Sequence, residues 1–203
     1  MELTFSQACE NNKAAILTIL QKALKTTKNV LEIGSGTGQH AIYFAENLPH
    51  LLWQTSDLSI NHYSINQRIS KSSLKNINSA ITLDLNNEWP TVNCNDKHQI
   101  DAIFTANTMH IVSWKLVQRF FEGTEKTLKK GGKLCIYGPF NYEGKFTCES
   151  NANFELWLKD RDENSGIRDF EAIEVLAKSA GLSLMTDHSM PANNRLLEFI
   201  KAV

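Results

Sequence analysis

Apolar positions along this chain follow two rhythms that take turns. Between residues 8 and 25, Ile16, Ile19, Leu20, Ala23 and Leu24 recur at three- and four-residue spacing, which predicts a helix with one buried face. Val30-Leu31-Glu32-Ile33 is instead a short, nearly continuous apolar run halted by glycine, the pattern of a buried strand. The alternation continues with a helix over 39–48, a strand over 51–56, a helix over 60–70 and strands over 80–83 and 102–106. Ser113 is placed to cap a helix reaching about residue 129, with Gly131-Gly132 ending it before a strand over 133–137. Asp169 can cap a helix that stops before Gly181, and strands over 182–185 and 196–200 are close enough to pair antiparallel across residues 190–194. Strands alternating with helices predict an α/β architecture, a mainly parallel sheet with helices on both faces.

Residues 138–168 break the rhythm. They are rich in Asn, Gly, Glu and Asp, with Phe140, Tyr142, Phe146, Phe154 and Trp157 interspersed. So long an excursion is rarely bare loop. A short helix is expected near 153–159, and the position after a strand end makes the segment a candidate substrate cover inserted in a single domain spanning 1–203.

Composition narrows the partners. The chain has 203 residues, 42% hydrophobic and 21% charged, with a net charge of −1. That suits one globular domain and lacks the basic excess of a nucleic-acid-binding protein. The pair Lys129-Lys130 reads as a solvated helix end. Cys9, Cys94, Cys135 and Cys148 form no C-x-x-C pair, so reduced thiols are expected rather than a zinc site or a disulfide framework. Residues 1–5 lack the pattern of a signal peptide, and no apolar run approaches the roughly 18 residues of a membrane span. The expectation is a cytoplasmic protein with no membrane partner, no nucleic acid and no metal; the oligomeric state is not legible.

The sharpest chemical signal is Glu32-Ile33-Gly34-Ser35-Gly36-Thr37-Gly38. Alternate glycines allow a tight turn and close approach of backbone to a ligand, and the helix that follows offers N–H groups at its start. A strand, such a loop and a helix form a nucleotide-type pocket at the carboxyl edge of a sheet. The spacing G-x-G-x-G departs from the dinucleotide pattern G-x-G-x-x-G, and a carboxylate at Glu32 suits a cationic ligand better than a pyrophosphate. Asp57, at the end of the next strand, is placed to accept hydrogen bonds from ribose hydroxyls, whichever nucleotide is bound.

The string resembles motif I, E-x-G-x-G-x-G, of the class I S-adenosylmethionine-dependent methyltransferases. More of the chain resembles one group, the methyltransferase-like family described as a domain of unknown function (DUF938 type). The likeness rests on residues 6–13, Gly36-Thr37-Gly38-Gln39-His40, Trp53-Gln54-Thr55-Ser56-Asp57 and Ala106-Asn107-Thr108-Met109-His110-Ile111, then on Tyr137-Gly138-Pro139-Phe140, residues 150–154, Gly166-Ile167-Arg168-Asp169 and residues 190–194. Asn11 stands where many relatives carry Arg, and Asn164-Ser165 where a Pro-x-Trp segment is common. Asn107-Thr108-Met109-His110 also lacks the Asn-Pro-Pro-Tyr of nucleic-acid amino methyltransferases. The resemblance implies a Rossmann-like, seven-stranded, mostly parallel sheet with an antiparallel last strand. It implies S-adenosylmethionine as cofactor, S-adenosylhomocysteine as product, and a small-molecule methyl acceptor. A non-catalytic S-adenosylmethionine sensor or partner subunit is the alternative, and an NAD-dependent oxidoreductase is disfavoured by the glycine spacing.

Under this resemblance Glu32, Gly34, Ser35, Gly36, Gly38 and Asp57 form the heart of the cofactor site, Asp84 and the Leu85 N–H meet the adenine, Asn12 closes over the cofactor, and Asn107 lies at the strand end under the methionine part. His110 is the candidate general base, since an ordinary histidine pKa near 6.5 suits proton removal at neutral pH; a packing histidine is the equal alternative. His40 reads as structural. Arg168 is either a clamp for a substrate carboxylate or phosphate, or a partner for Asp169 or Glu171. Tyr137, Phe140, Phe154 and Trp157 either wall an acceptor pocket or fill the core. Asn151 is taken as a substrate contact. Asn193 and Asn194 bond substrate or simply make a turn.

Overall fold

The computed structural model describes residues 3–90 and 100–203, so Cys94 lies outside the described residues, as do Met1 and Glu2. The chain runs α1 (Gln7–Ala23), β1 (Asn29–Ile33), α2 (Gln39–Asn47), β2 (Leu52–Asp57), α3 (His62–Ser72), β3 (Ile77–Thr82), β4 (Ile100–Ala106), α4 (Trp114–Thr127) and β5 (Leu128–Gly138). It continues with β6 (Phe140–Asn141), α5 (Glu149–Arg161), β7 (Arg168–Asp169), α6 (Phe170–Ser179), β8 (Leu182–Ser189) and β9 (Arg195–Lys201). Seven strands form one sheet in the order β3-β2-β1-β4-β5-β9-β8. Strands β1 to β5 are parallel, and β9 runs antiparallel to both β5 and β8. The strand order reverses between β1 and β4, which opens a crevice at the carboxyl ends of these two strands.

Burial explains the layering. All five residues of β1 are buried, so the strand is covered on both faces rather than alternating between core and solvent. Val30 packs with Ile16 and Leu20 of α1 and Phe44 of α2, whereas its neighbour Leu31 packs with Val117, Phe120 and Phe121 of α4 and Ile173 of α6. Helices α1 and α2 thus cover one face and α4 and α6 the other. Ser6 caps α1 by accepting from the Cys9 N–H, and Ser113 caps α4 through the Leu116 N–H, as its position in the sequence suggested.

Three local expectations are corrected. Gly131 and Gly132 do not end a helix: α4 stops at Thr127 and β5 starts at Leu128, so the glycines sit inside the strand where its pairing with β4 slips between Ile100 and Ala102. A Cβ at Gly132 would stand 2.8 Å from the Lys129 carbonyl oxygen, so the bulge requires glycine there. Lys129 is accordingly no solvated helix end but pairs with Asp101 at the base of β4. The helix inside 138–168 is longer than expected, and the excursion is bracketed by a two-strand ladder, Phe140↔Arg168 and Asn141↔Asp169, too short to leave a sequence pattern.

On the α4 face, Gly123 is where the Trp89 ring lies against the helix; an added Cβ would fall 2.1 Å from a ring carbon. Gly123→Ala is therefore expected to destabilise the fold by about 1–3 kcal/mol through overpacking, despite alanine's better helix propensity. Thermal unfolding checks this, and an unchanged or raised Tm would show that Trp89 moves aside freely.

Candidate functional site

A cavity of about 990 Å³ opens where β1 and β4 diverge. One half is built from the loop after β1, the ends of β2 and β3, and the start of α1. Gly34, Gly36 and Gly38 all take positive φ, at +73°, +56° and +78°. At Gly34 a Cβ would meet the Thr108 hydroxyl at 2.8 Å, and at Gly38 one would press on the Ile65 Cα of α3 at 3.2 Å. Glycine is needed at the first for the approach to β4 and at the second for helix packing. Gly38 is thus a packing residue and does not line the cavity, contrary to the sequence expectation.

Four of the five loop amides from Gly34 to Gly38 are bonded within the protein. Gly34 and Ser35 N–H donate to the Ser56 carbonyl at 3.1 and 3.0 Å, and Gly38 N–H donates to the Ser35 carbonyl at 2.8 Å. Gly36 N–H donates to Asp57 Oδ2 at 2.6 Å. A rim whose amides point inward and whose side chains are acidic is ill-suited to a pyrophosphate, which needs free N–H groups. Asp57 Oδ1 also accepts from the Leu58 N–H and the Asn61 amide, both at 2.7 Å. Oδ1 is thereby filled by two donors, whereas Oδ2, with one, keeps a lone pair for a ligand in the cavity that Asp57 lines. Asp84, Leu85 and Asn86 line the same half; Asp84 Oδ1 accepts from the Asn86 N–H at 2.9 Å, and Oδ2 has no partner among the described residues.

Glu32 is placed differently from the sequence expectation. Its carboxylate does not line the cavity but lies behind the loop, 2% exposed, where Oε2 accepts from Ser35 Oγ at 2.8 Å and Trp53 Nε1 at 3.1 Å. Burial pushes its pKa up to about 7, and the nearby Asp57 charge adds to the rise against those two hydrogen bonds.

Asn12 does line the cavity; its Oδ1 accepts from His40 Nε2 at 2.6 Å. His40, stacked on Phe44 at 5.2 Å and held neutral by burial with a pKa of about 4, fixes that amide. Asn107, another lining residue, adopts φ +58° although it is not glycine; such conformations concentrate at functional sites.

The other half is walled by His110, Tyr137, Asn151, Phe154, Trp157, Arg161 and Asn194. His110 is 4% exposed, with its ring edge-on to Phe154 at 5.4 Å. Burial first, and the Arg168 charge second, lower its pKa to about 4. At neutral pH the imidazole is uncharged with a free lone pair, but it is a weaker proton acceptor than the ordinary value near 6.5 implies.

Asn151 is buried and donates to Thr147 Oγ1 at 2.9 Å and to the Asn193 carbonyl at 3.4 Å; its own Oδ1 takes no hydrogen bond among the described residues. Asn193 therefore fixes Asn151 rather than lining the cavity.

Two further expectations are overturned. Phe140 is fully buried among α4 and α6 side chains, outside the cavity, because its short strand turns it into the core. Arg168 clamps no ligand and pairs with neither Asp169 nor Glu171. Its guanidinium donates to the carbonyls of Met109 at 3.0 Å, Val112 at 2.5 Å and Asn164 at 2.9 Å, which fastens the turn carrying His110 to β7. Arg161 is the cavity-lining cation the sequence reading missed. Its signal was there in the helical spacing of 154, 157 and 161.

The family described as Protein of unknown function (DUF938) matches residues 3–201. The chain belongs to this family. Its fold is that of the class I methyltransferases. An O-methyltransferase family protein from Burkholderia thailandensis superposes with a TM-score of 0.79 at 15% identity, over 94% of this chain and 56% of that one. An O-methyltransferase family 2 protein from Planctomyces limnophilus, in complex with apigenin, gives 0.81 at 15% identity over 96% and 58%. Human N-acetylserotonin methyltransferase in complex with S-adenosylmethionine gives 0.78 at 16% identity over 97% and 53%. The chain thus spans little more than half the length of these structures. Among the described residues no helix is long and apolar enough to cross a membrane, and no cluster of His, Cys, Asp or Glu could hold a metal ion.

Proposed function

We propose that this chain is an S-adenosylmethionine-dependent methyltransferase acting on a small-molecule acceptor. The observation that carries the reading is the single cavity that joins an acid-rimmed glycine loop to a separate, largely apolar chamber. Asp57 is the ribose contact, Asp84 Oδ2 and the Leu85 N–H meet the adenine, and Asn12 and Asn107 close on the methionine part. The inward-bonded loop amides and the buried Glu32 carboxylate favour a cationic ligand over a dinucleotide. When bound, S-adenosylmethionine would supply an already activated methyl group and would leave as the neutral thioether S-adenosylhomocysteine. The protein's part is alignment and exclusion of water. His110 receives the acceptor's proton where one has to leave, and Tyr137, Asn151 and Phe154 hold the acceptor against the donor.

Isothermal titration with S-adenosylmethionine, S-adenosylhomocysteine and NAD tests the cofactor. Binding of the two sulfur compounds without NAD is expected; binding of NAD alone would replace the reading with an oxidoreductase. His110→Ala is expected to leave S-adenosylmethionine affinity unchanged and slow turnover by about 10²-fold at most, given the lowered pKa. A wild-type rate in that variant would remove His110 from proton transfer. A protein that binds the cofactor but turns over no acceptor would instead be a sensor or partner subunit.

A further inference from the structure

The chamber beyond the glycine loop has its own chemistry, concentrated on α5. Phe154, Trp157 and Arg161 follow one another at helical spacing and all line the cavity. The Phe154 and Trp157 rings are nearly parallel, 13° apart with centroids separated by 5.6 Å. The Arg161 guanidinium lies over the Trp157 ring, 5.7 Å from its centroid. Trp157 remains 53% exposed, a large aromatic surface left in water at the mouth of a cavity. Arg161 is the one Lys or Arg among the lining residues, and no ion pair engages it among the described residues, although Asp160 and Asp162 flank it. The lining carboxylates, Asp57 and Asp84, belong to the opposite half. With His40 and His110 neutral, the cavity is acidic at one end and cationic at the other.

We infer that the methyl acceptor is a planar aromatic anion, its ring packed against the stacked Phe154–Trp157 pair and its carboxylate or similar group held by Arg161. An exposed aromatic stack beside a guanidinium with no ion pair among the described residues matches an aromatic anion better than a neutral aliphatic ligand. An arginine stacked on an indole presents its N–H edge to an anion with little side-chain freedom left to lose. The inference rests on the transferase reading for the ligand's role as methyl acceptor; the anion site itself rests on α5 alone.

The test uses the full chain and two probes of one shape, 2-naphthoate and the neutral 2-naphthalenemethanol, titrated calorimetrically with and without saturating S-adenosylhomocysteine. Naphthoate is expected to bind about tenfold or more tightly than the alcohol, the range of a charge-assisted hydrogen bond. Arg161→Gln is expected to erase that preference while leaving alcohol affinity unchanged, and Trp157→Ala to weaken both probes. Arg161 and Trp157 are on the surface, so neither variant threatens folding. Equal affinity for the two probes, no binding of naphthoate, or a preference that survives Arg161→Gln would each overturn the inference. Should S-adenosylhomocysteine fail to bind while the preference for naphthoate stands, the transferase reading falls and the anion site remains.

Discussion

Asp57→Ala is expected to weaken S-adenosylmethionine binding by about 1–3 kcal/mol, the cost of leaving polar partners unpaired in a buried site. The carboxylate serves two ends at once. On its inner side it anchors the Gly36, Leu58 and Asn61 N–H groups, so its removal frees three donors and loosens the glycine loop. On its outer side it faces the cavity, where the proposed ribose hydroxyls need acceptors. Asp57→Asn retains one acceptor oxygen and is expected to fall between wild type and alanine. Calorimetric titration reads the affinity, and thermal unfolding without ligand reads the loop's share separately. An alanine variant with undiminished affinity would take Asp57 out of ribose binding.

The second large effect concerns Glu32 and pH. Its pKa lies near 7 in the folded protein, against an ordinary 4.5 when the chain unfolds. Between these values the folded state keeps a proton the unfolded state has lost. The stabilisation is therefore complete below about pH 4.5 and is lost as pH rises through 7. Moving the pKa that far corresponds to roughly 3 kcal/mol, lost between pH 4.5 and 8. Glu32→Gln retains an oxygen for Ser35 and Trp53 to donate to and cannot ionise. Denaturant unfolding at pH 5 and pH 8 is expected to give a variant that loses less stability than wild type across this range. The same variant is expected to bind the cationic cofactor more weakly at pH 8, having lost the negative charge behind the loop. Parallel pH profiles for the two proteins would mean that Glu32 stays ionised when buried.

The sheet was legible because buried parallel strands are continuous apolar runs and the helices between them carry a 3.6-residue period; both signals are local. The glycine loop was legible for the same reason, since three glycines in five residues report a backbone constraint that no distant contact can disguise. What escaped is what depends on tertiary placement. Nothing local distinguishes Phe140, turned into the core, from Phe154, turned into the cavity. Arg168 shows a cation in the sequence but not the three carbonyls that occupy it. Glu32 and His110 were read with ordinary acidities, and burial, which moves both, exists only once the chain has folded. Gly131 and Gly132 show how a correct signal is misassigned: two glycines mark a backbone irregularity, and whether it is a helix stop or a strand bulge is decided by the neighbouring strand.

The ladder between β6 and β7 has a consequence for how this protein can diversify. The excursion that carries α5 begins and ends side by side in this ladder, and further bonds hold both ends: Tyr142 donates to Asp187 at 2.6 Å, and Gly166 N–H to the His110 carbonyl at 2.9 Å. Because the cost of closing a loop grows only with the logarithm of its length, the stretch between these clasps can change length at little entropic cost, provided that Asn151, Phe154 and the buried Leu158 keep their contacts. The segment behaves as a cassette clipped into a fixed frame. Exchanging that segment would therefore change the α5 wall of the cavity while leaving the glycine loop untouched.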